Sequence, residues 1–218
     1  MKQLIRVSLI VVVLSSFGCA WFGKDKPQEK TADELINEGM HEFEKGNYKK
    51  SSESFQKLKE WYPFSKYASL AELKLADAFF HLEEYENASP AYQEFENLHP
   101  RNEAVPYVVY QMGMCHFNQM DSVDRDQSSV KKAIEIFNRL IRQFPDDAYS
   151  QKAAERLREC HKSLAGHEFY VGVQYYKGSH YKSALSRFKA VISDYPDVGF
   201  HQDALRYIGL CEEALKRK

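Results

Sequence analysis

The sequence predicts an all-α protein whose helices pair into hairpins and stack as a solenoid. Three observations carry this prediction. A motif of a small residue, an aromatic residue four positions later and a proline eight positions after that occurs four times. Apolar residues recur with a helical period within each copy. The composition, 44% hydrophobic and 28% charged with Gly 10 and Pro 7 in 218 residues, favours helix over short strands joined by turns.

The chain begins with the pattern of a secretory leader, and we assign residues 1–18 to a signal peptide. Lys2 and Arg6 give it a positive start, and the apolar run from Val7 to Leu14 follows. That run is too short to cross a bilayer. Small residues then lead to Gly18.

Cys19 follows the leader directly, in a context that resembles the lipid-attachment signal of bacterial lipoproteins. The resemblance implies that the thiol of Cys19 receives a lipid. One departure is Ser16, which stands where most such signals have leucine. The alternatives are an ordinary signal peptide with an incidental cysteine, and a transmembrane anchor. Residues 19–31 then form a lipidated cysteine followed by a polar, flexible tether that reaches at most about 40 Å.

Residues 32–218 contain the repeats, at about 32–64, 67–100, 101–145 and 149–196. The four motifs are Ser51, Phe55 and Pro63; Ala88, Tyr92 and Pro100; Ala133, Phe137 and Pro145; and Ala184, Phe188 and Pro196. This pattern is the second-helix half of the tetratricopeptide (TPR) signature. Small residues let paired helices approach, the aromatic side chain fills the gap beyond, and proline ends the helix. We therefore expect a TPR-type helical-hairpin solenoid of about four repeats.

The first helix of each hairpin carries its own small residue. It stands twelve residues before the second-helix small residue in three repeats, at Gly39, Ala76 and Gly172. In the third repeat Gly113 lies eight residues too far upstream. This offset predicts an insertion between about Asn118 and Ser129.

The spacing changes again after the third repeat. Residues 149 to about 177 are expected to form one long helix or two nearly continuous ones. Gly209 then marks a final helix over residues 200–217, which has no partner helix of its own. Such a helix normally caps a solenoid or docks on another surface.

Cys115, Cys160 and Cys211 each stand two residues beyond the small-residue register of a first helix. Packed helix axes lie about 8–10 Å apart, whereas a disulfide needs Cα atoms within about 7 Å. We predict buried free thiols. A disulfide is the alternative, because the leader directs the chain to an oxidising compartment.

The sequence contains none of the motifs that would indicate catalysis or metal binding, such as HExxH, paired CxxC or a glycine-rich phosphate loop. We expect no catalytic residue, no metal site and no cofactor other than the lipid on Cys19, and hence a protein that is not an enzyme. A formal net charge of −1 gives no reason to expect nucleic-acid binding.

Aromatic side chains crowd around the closing proline of the first repeat, at Trp61, Tyr62, Phe64 and Tyr67. They lie outside the repeat register, so they are candidates for a groove that holds an extended client peptide. The alternative is packing between the first and second repeats.

The corner segment WYPFSKYA resembles the BamD family, lipoproteins of the outer-membrane β-barrel assembly (Bam) machine. Further similar features follow in order: GNY at Gly46–Tyr48, VDRD at Val123–Asp126 and DYPD at Asp194–Asp197. The similarity spans the chain from Cys19 to about Lys216. Two departures are a short insertion in the third repeat and an end soon after the final helix.

The resemblance implies a lipid-anchored protein on the periplasmic face of the outer membrane. Its implied partners are the periplasmic domain of BamA, other Bam lipoproteins and unfolded outer-membrane proteins. The family binds clients through its amino-terminal repeats and BamA through its carboxy-terminal repeats, where a family arginine corresponds to Arg187. The alternative is another periplasmic TPR lipoprotein that coordinates cell-wall synthesis or envelope constriction.

Overall fold

A computed structural model describes residues 30–196 and 198–217. Within these ranges the chain forms nine α-helices and no β-strand, which confirms the predicted all-α fold. The helices are α1 (Ala32–Glu44), α2 (Tyr48–Trp61), α3 (Ala68–His81), α4 (Tyr85–Leu98), α5 (Val105–Asn118), α6 (Ser128–Gln143), α7 (Ala148–Lys177), α8 (Tyr181–Asp194) and α9 (His201–Lys216). The predicted signal peptide, Cys19 and nearly all of the tether lie outside the described residues.

The helices pack in chain order. Each contacts the next, and α5 also contacts α7. The pairs α1–α2, α3–α4, α5–α6 and α7–α8 are the four hairpins, and α9 packs on α8. The fold is therefore the TPR-type solenoid that the repeated motif predicts.

The small and aromatic residues of the motif meet inside three of the hairpins. A Cβ atom added to Gly39, Gly113 or Gly172 would overlap the ring of Phe55, Phe137 or Phe188. All three rings are fully buried. The glycines are therefore needed for their size, because any side chain there would displace an aromatic ring from the core.

The second hairpin fills the same place with Tyr92, which needs a polar partner because it is buried. Asp77, itself 3% exposed, accepts hydrogen bonds through Oδ1 from Tyr92 (2.8 Å) and Tyr107 (2.7 Å). Lys74 donates to its Oδ2 at 2.8 Å. Burial, followed by the charge of Asp77, raises the pKa of both tyrosines. The network ties α3 and α4 to α5, and hence the second hairpin to the third.

The structure resolves both places where the sequence departs from the regular repeat spacing. The insertion is the loop 119–127 between α5 and α6, and residues 148–177 form one helix of 30 residues. The sequence left open one helix or two. The long α7 packs against α6 of the third hairpin and α8 of the fourth, and it also contacts α5.

Cys115, Cys160 and Cys211 are buried and free, as the register predicted. Burial raises the pKa of the Cys115 and Cys160 thiols to about 12. The pKa of Cys211 is also raised, again chiefly by burial. These thiols are therefore protonated at neutral pH and pack as small apolar side chains.

Candidate partner-docking sites

The four aromatic residues around the end of α2 divide into an inner and an outer pair. Tyr62 and Tyr67 pack against a core cluster that the first hairpin shares with α3 of the second. The Tyr67 hydroxyl donates to Oδ1 of Asp33, in the first turn of α1, at 2.5 Å. For these two residues, the packing alternative describes the structure.

Trp61 and Phe64 form the outer pair, which we call the aromatic corner. Trp61 is 48% exposed and Phe64 is fully exposed. Large apolar side chains in the open indicate a contact surface when several occur together. Leu98, 56% exposed at the end of α4, occupies the position in the second repeat that Trp61 holds in the first. Sequence reasoning missed Leu98, although its spacing of 37 residues from Trp61 would have identified it.

Arg187 lies on α8 and pairs with Glu168 of α7. Its Nη1 donates to Oε1 at 3.1 Å and to Oε2 at 2.8 Å. The hydrogen bond to Glu168, with the charge of that carboxylate, raises the pKa of the Arg187 guanidinium. The arginine side chain remains 43% exposed and that of Glu168 22%, so the pair can still be reached from solvent.

The insertion loop lies against α7 close to this pair. His167 donates from Nδ1 to the carbonyl of Val123 at 2.7 Å, and Ser163 donates to the Gln127 amide oxygen at 3.2 Å. A Cβ atom at Gly166 would lie 2.9 Å from Cγ1 of Val123. The loop is therefore fixed on α7 by two hydrogen bonds and a close apolar approach that requires a glycine.

The loop, α6, α7 and α8 together line a cleft of about 280 Å³, which we call the Arg187 cleft. Its lining residues are Arg125, Asp126, Gln127, Lys131, Leu164, His167, Glu168, Arg187 and Tyr195. Three of these side chains are cationic and two are carboxylates. Asp126 is engaged by the backbone and hydroxyl of Ser128, and Glu168 by Arg187. The cleft can therefore receive carboxylates from a partner. The family resemblance pointed to Arg187 and to the insertion loop separately. It did not predict that the two line one cleft.

In the described ranges, no group of three or more His, Cys, Asp or Glu is arranged to hold a metal ion. Every helix in the same ranges is too short or too polar to cross a bilayer. Cys19, the predicted lipidation site, lies outside these ranges.

The stacked hairpins, with an exposed aromatic corner at one position and a polar cleft at another, define a TPR-type repeat protein. The chain belongs to the YfiO outer membrane lipoprotein family, whose model matches residues 28–217. This match confirms the family predicted from the sequence motifs.

Curated relatives agree with the family match. The outer membrane protein assembly factor BamD of Caulobacter vibrioides is 27% identical over 224 residues, which cover 98% of this chain and 73% of that protein. BamD of Rickettsia prowazekii is 30% identical over 189 residues, covering 84% and 75%. BamD of Neisseria gonorrhoeae is 27% identical over 232 residues, covering 100% and 86%.

Proposed function

We propose that the protein is a lipid-anchored periplasmic scaffold of the outer-membrane β-barrel assembly (Bam) complex, which docks on BamA and helps insert β-barrel proteins. The observation that carries the proposal is the alignment of this chain with outer membrane protein assembly factors over nearly its whole length. The aromatic corner and the Arg187 cleft supply two surfaces of different chemistry, as a scaffold with two kinds of partner requires.

The Arg187 cleft is the proposed dock for the periplasmic domain of BamA. Its arginines and lysine favour an acidic surface, and a guanidinium can pair with a carboxylate through two of its N–H groups. Glu168 holds Arg187 in place before docking, which reduces the side-chain entropy that binding would otherwise cost. A partner carboxylate would then share Arg187 with Glu168.

The aromatic corner is the proposed contact for unfolded outer-membrane proteins. Segments that will become barrel strands alternate apolar and polar side chains and carry aromatic residues near the membrane interfaces. Trp61 and Phe64 offer two exposed rings to such segments, and Leu98 offers a further apolar side chain at the equivalent position of the next repeat. Stacking of rings and burial of apolar surface suit a client whose sequence varies.

A lipid on Cys19 would hold the scaffold at the periplasmic face of the outer membrane. The tether would keep the repeats within about 40 Å of that surface, where nascent barrels are inserted. Cys19→Ser should release the protein from sedimented outer membranes into the soluble periplasmic fraction. Retention of the variant in the membranes would refute the anchor at this residue.

Depletion of the protein in its own organism tests the proposed function. Folded β-barrel proteins resist unfolding by sodium dodecyl sulfate unless heated, so the folded fraction can be read from gels before and after depletion. The proposal predicts loss of folded barrels before any change in cell shape. Normal barrels with defective constriction or peptidoglycan synthesis would instead indicate a cell-wall adaptor.

A further inference from the structure

The insertion loop ends in a buried glutamine whose presence the geometry of the next helix does not explain. Gln127 stands at the N-cap of α6, a position that favours short side chains such as serine or aspartate, and its side chain makes no capping bond. Its side chain is nevertheless only 5% exposed. A buried amide costs free energy unless its hydrogen bonds are made. The reason for a glutamine at this position therefore lies in the loop.

Both ends of the Gln127 amide are bonded within the protein. Its Nε2 donates to the carbonyl oxygen of Ser122 at 3.2 Å and to that of Arg125 at 3.0 Å. Its amide oxygen accepts from the hydroxyl of Ser163, on α7, at 3.2 Å. Gln127 thus closes the turn from Ser122 to Arg125 and joins this turn to the helix that also carries Glu168.

The backbone of Arg125 is therefore held at its N–H and at its carbonyl group. The N–H donates to the carbonyl oxygen of Ser122 at 3.0 Å, and the carbonyl accepts from Gln127. A side chain that starts from a fixed backbone loses less conformational entropy when it binds a partner. The turn is thus a preformed mount for one side chain.

The side chain on this mount has no partner of its own in the described ranges. The guanidinium of Arg125 is exposed and makes no hydrogen bond or ion pair with the described residues. The carboxylates on either side of it are engaged by other groups. Asp124 accepts from the hydroxyl of Ser122 at 2.5 Å, and Asp126 accepts from that of Ser128 at 2.6 Å. Arg125 is therefore available to an acidic group from outside.

Arg125 and Arg187 line the same cleft but come from different elements. Arg187 is oriented by Glu168 across the hairpin. Arg125 is oriented through its backbone by Gln127. The two carboxylates of the cleft, Glu168 and Asp126, are already engaged. The cleft therefore presents two guanidiniums in a defined relation, and each can pair with a carboxylate of a partner.

We propose that the Arg187 cleft recognises a partner segment that carries two carboxylates, one for Arg187 and one for Arg125, and that Gln127 is the positioning residue for Arg125. This inference rests on the docking function proposed for the cleft and adds what the partner must present there. Two fixed guanidiniums select acidic side chains with a matching separation, whereas a single arginine accepts any exposed carboxylate. Lys131 adds positive charge to the cleft but, as an ammonium on a flexible stem, no fixed geometry.

The full-length mature protein in detergent is titrated with purified BamA from the same organism. We expect Arg125→Ala to weaken binding about tenfold, since a charge-assisted hydrogen bond is lost. Gln127→Leu keeps the approximate size of the side chain without its hydrogen bonds, and it should weaken binding about fivefold by releasing the loop. In a protein that already carries Arg125→Ala, Gln127→Leu should have no further effect on affinity. Arg125 is exposed, so Arg125→Ala keeps the fold and tests the second contact independently of Gln127→Leu.

Two matched controls separate positioning from stability. Ser150→Ala removes another buried side chain that donates to two backbone carbonyls, those of Leu140 and Phe144. It should lower the free energy of unfolding and leave the affinity for BamA unchanged. Arg158→Ala removes an exposed cation on α7 outside the cleft and should bind as wild type does.

Substitutions in BamA locate the two carboxylates. Each acidic residue on the surface of its periplasmic domain is changed to alanine and combined with Arg187→Ala or Arg125→Ala in double-mutant cycles. We expect one acidic residue to couple to Arg187 and a different one to couple to Arg125.

Three outcomes would overturn the proposal. One is full affinity in Arg125→Ala. Another is an added loss from Gln127→Leu in the Arg125→Ala protein, because the glutamine would then act on the fold and not through Arg125. The last is a single BamA residue that couples to both arginines. In all three cases, wild-type binding that depends on Arg187 leaves the docking function standing, whereas a wild-type protein that does not bind BamA would remove both proposals.

Discussion

Arg187 donates from a single nitrogen, Nη1, to both carboxylate oxygens of Glu168 across the α7–α8 hairpin. A guanidinium has five N–H donors, so this pair does not exhaust the group. The residue that the family resemblance assigns to partner docking is therefore also part of the hairpin. Any partner carboxylate meets an arginine that is already oriented.

Substitutions in the aromatic corner should weaken client binding but leave the stability of the protein almost unchanged. We expect the double variant Trp61→Ser, Phe64→Ser to bind an unfolded outer-membrane protein about tenfold more weakly, because two exposed rings are lost. Its free energy of unfolding should change by less than about 0.5 kcal/mol for each site. Both are measured on purified protein, by client titration and urea unfolding.

Tyr67→Phe is the matched control for that variant. It keeps the inner ring but removes the hydrogen bond to Asp33, so it should lower the free energy of unfolding by about 1 kcal/mol and leave client affinity unchanged. Unchanged client affinity in the double variant would instead show that clients bind elsewhere on the solenoid.

Two glycines at equivalent positions should respond in opposite ways to the same substitution. Gly113→Ala forces a methyl group into the buried ring of Phe137, and we expect a loss of about 1–3 kcal/mol in the free energy of unfolding. The methyl group added by Gly209→Ala has no described atom within 4 Å. The better helix propensity of alanine should therefore raise the free energy of unfolding by about 0.5–1 kcal/mol. Urea unfolding followed by circular dichroism measures both. A stabilised Gly113→Ala protein would contradict the packing of the third hairpin.

Because of its buried thiols, the protein should lose stability as the pH becomes alkaline. An exposed thiol in the unfolded chain titrates near 9.0, whereas burial raises the pKa of Cys115 and Cys160 to about 12 in the folded protein. Between these values the unfolded state binds fewer protons, so the free energy of unfolding falls as pH rises from about 9 towards 12. Cys160→Ala should make this slope shallower.

Alkylation gives a direct control for the thiol assignment. At pH 8 the folded protein, residues 20–218, should take up no iodoacetamide, and in urea without reductant it should take up three equivalents, as read by intact mass. Uptake of only one equivalent in urea would indicate a disulfide between two of the three cysteines.

The sequence predicted the hairpins because each one depends on a few short residue spacings that can be read from a single sequence, such as that from Ala133 to Phe137. It did not predict the Asp77 network, because a carboxylate in a first helix gives no sign of which tyrosines will reach it. Periodicity also could not separate the inner Tyr62 and Tyr67 from the exposed Trp61 and Phe64, since Tyr62 and Phe64 lie between α2 and α3 rather than on one face of a helix.

Glu168 was missed for a related reason. Whether it meets Arg187 depends on the rotation of α7 against α8, and this is set by the whole hairpin core rather than by local spacing. The resemblance pointed to the arginine, and the structure adds its partner and the adjoining loop. Gly166 likewise gains its meaning only from the contact with Val123.

The most direct test of the assembly role is the affinity of residues 20–218 for the purified periplasmic domain of BamA from the same organism, with and without Arg187→Glu. That substitution places a carboxylate beside Glu168 and removes the donors offered to an acidic partner. We expect wild-type binding and a loss of at least about 2 kcal/mol, roughly thirtyfold, in the variant. Arg158→Glu, the same change of charge on an exposed face of α7, should bind as wild type does. Wild-type protein that does not bind, or an Arg187→Glu protein that binds equally well, would contradict the proposed dock.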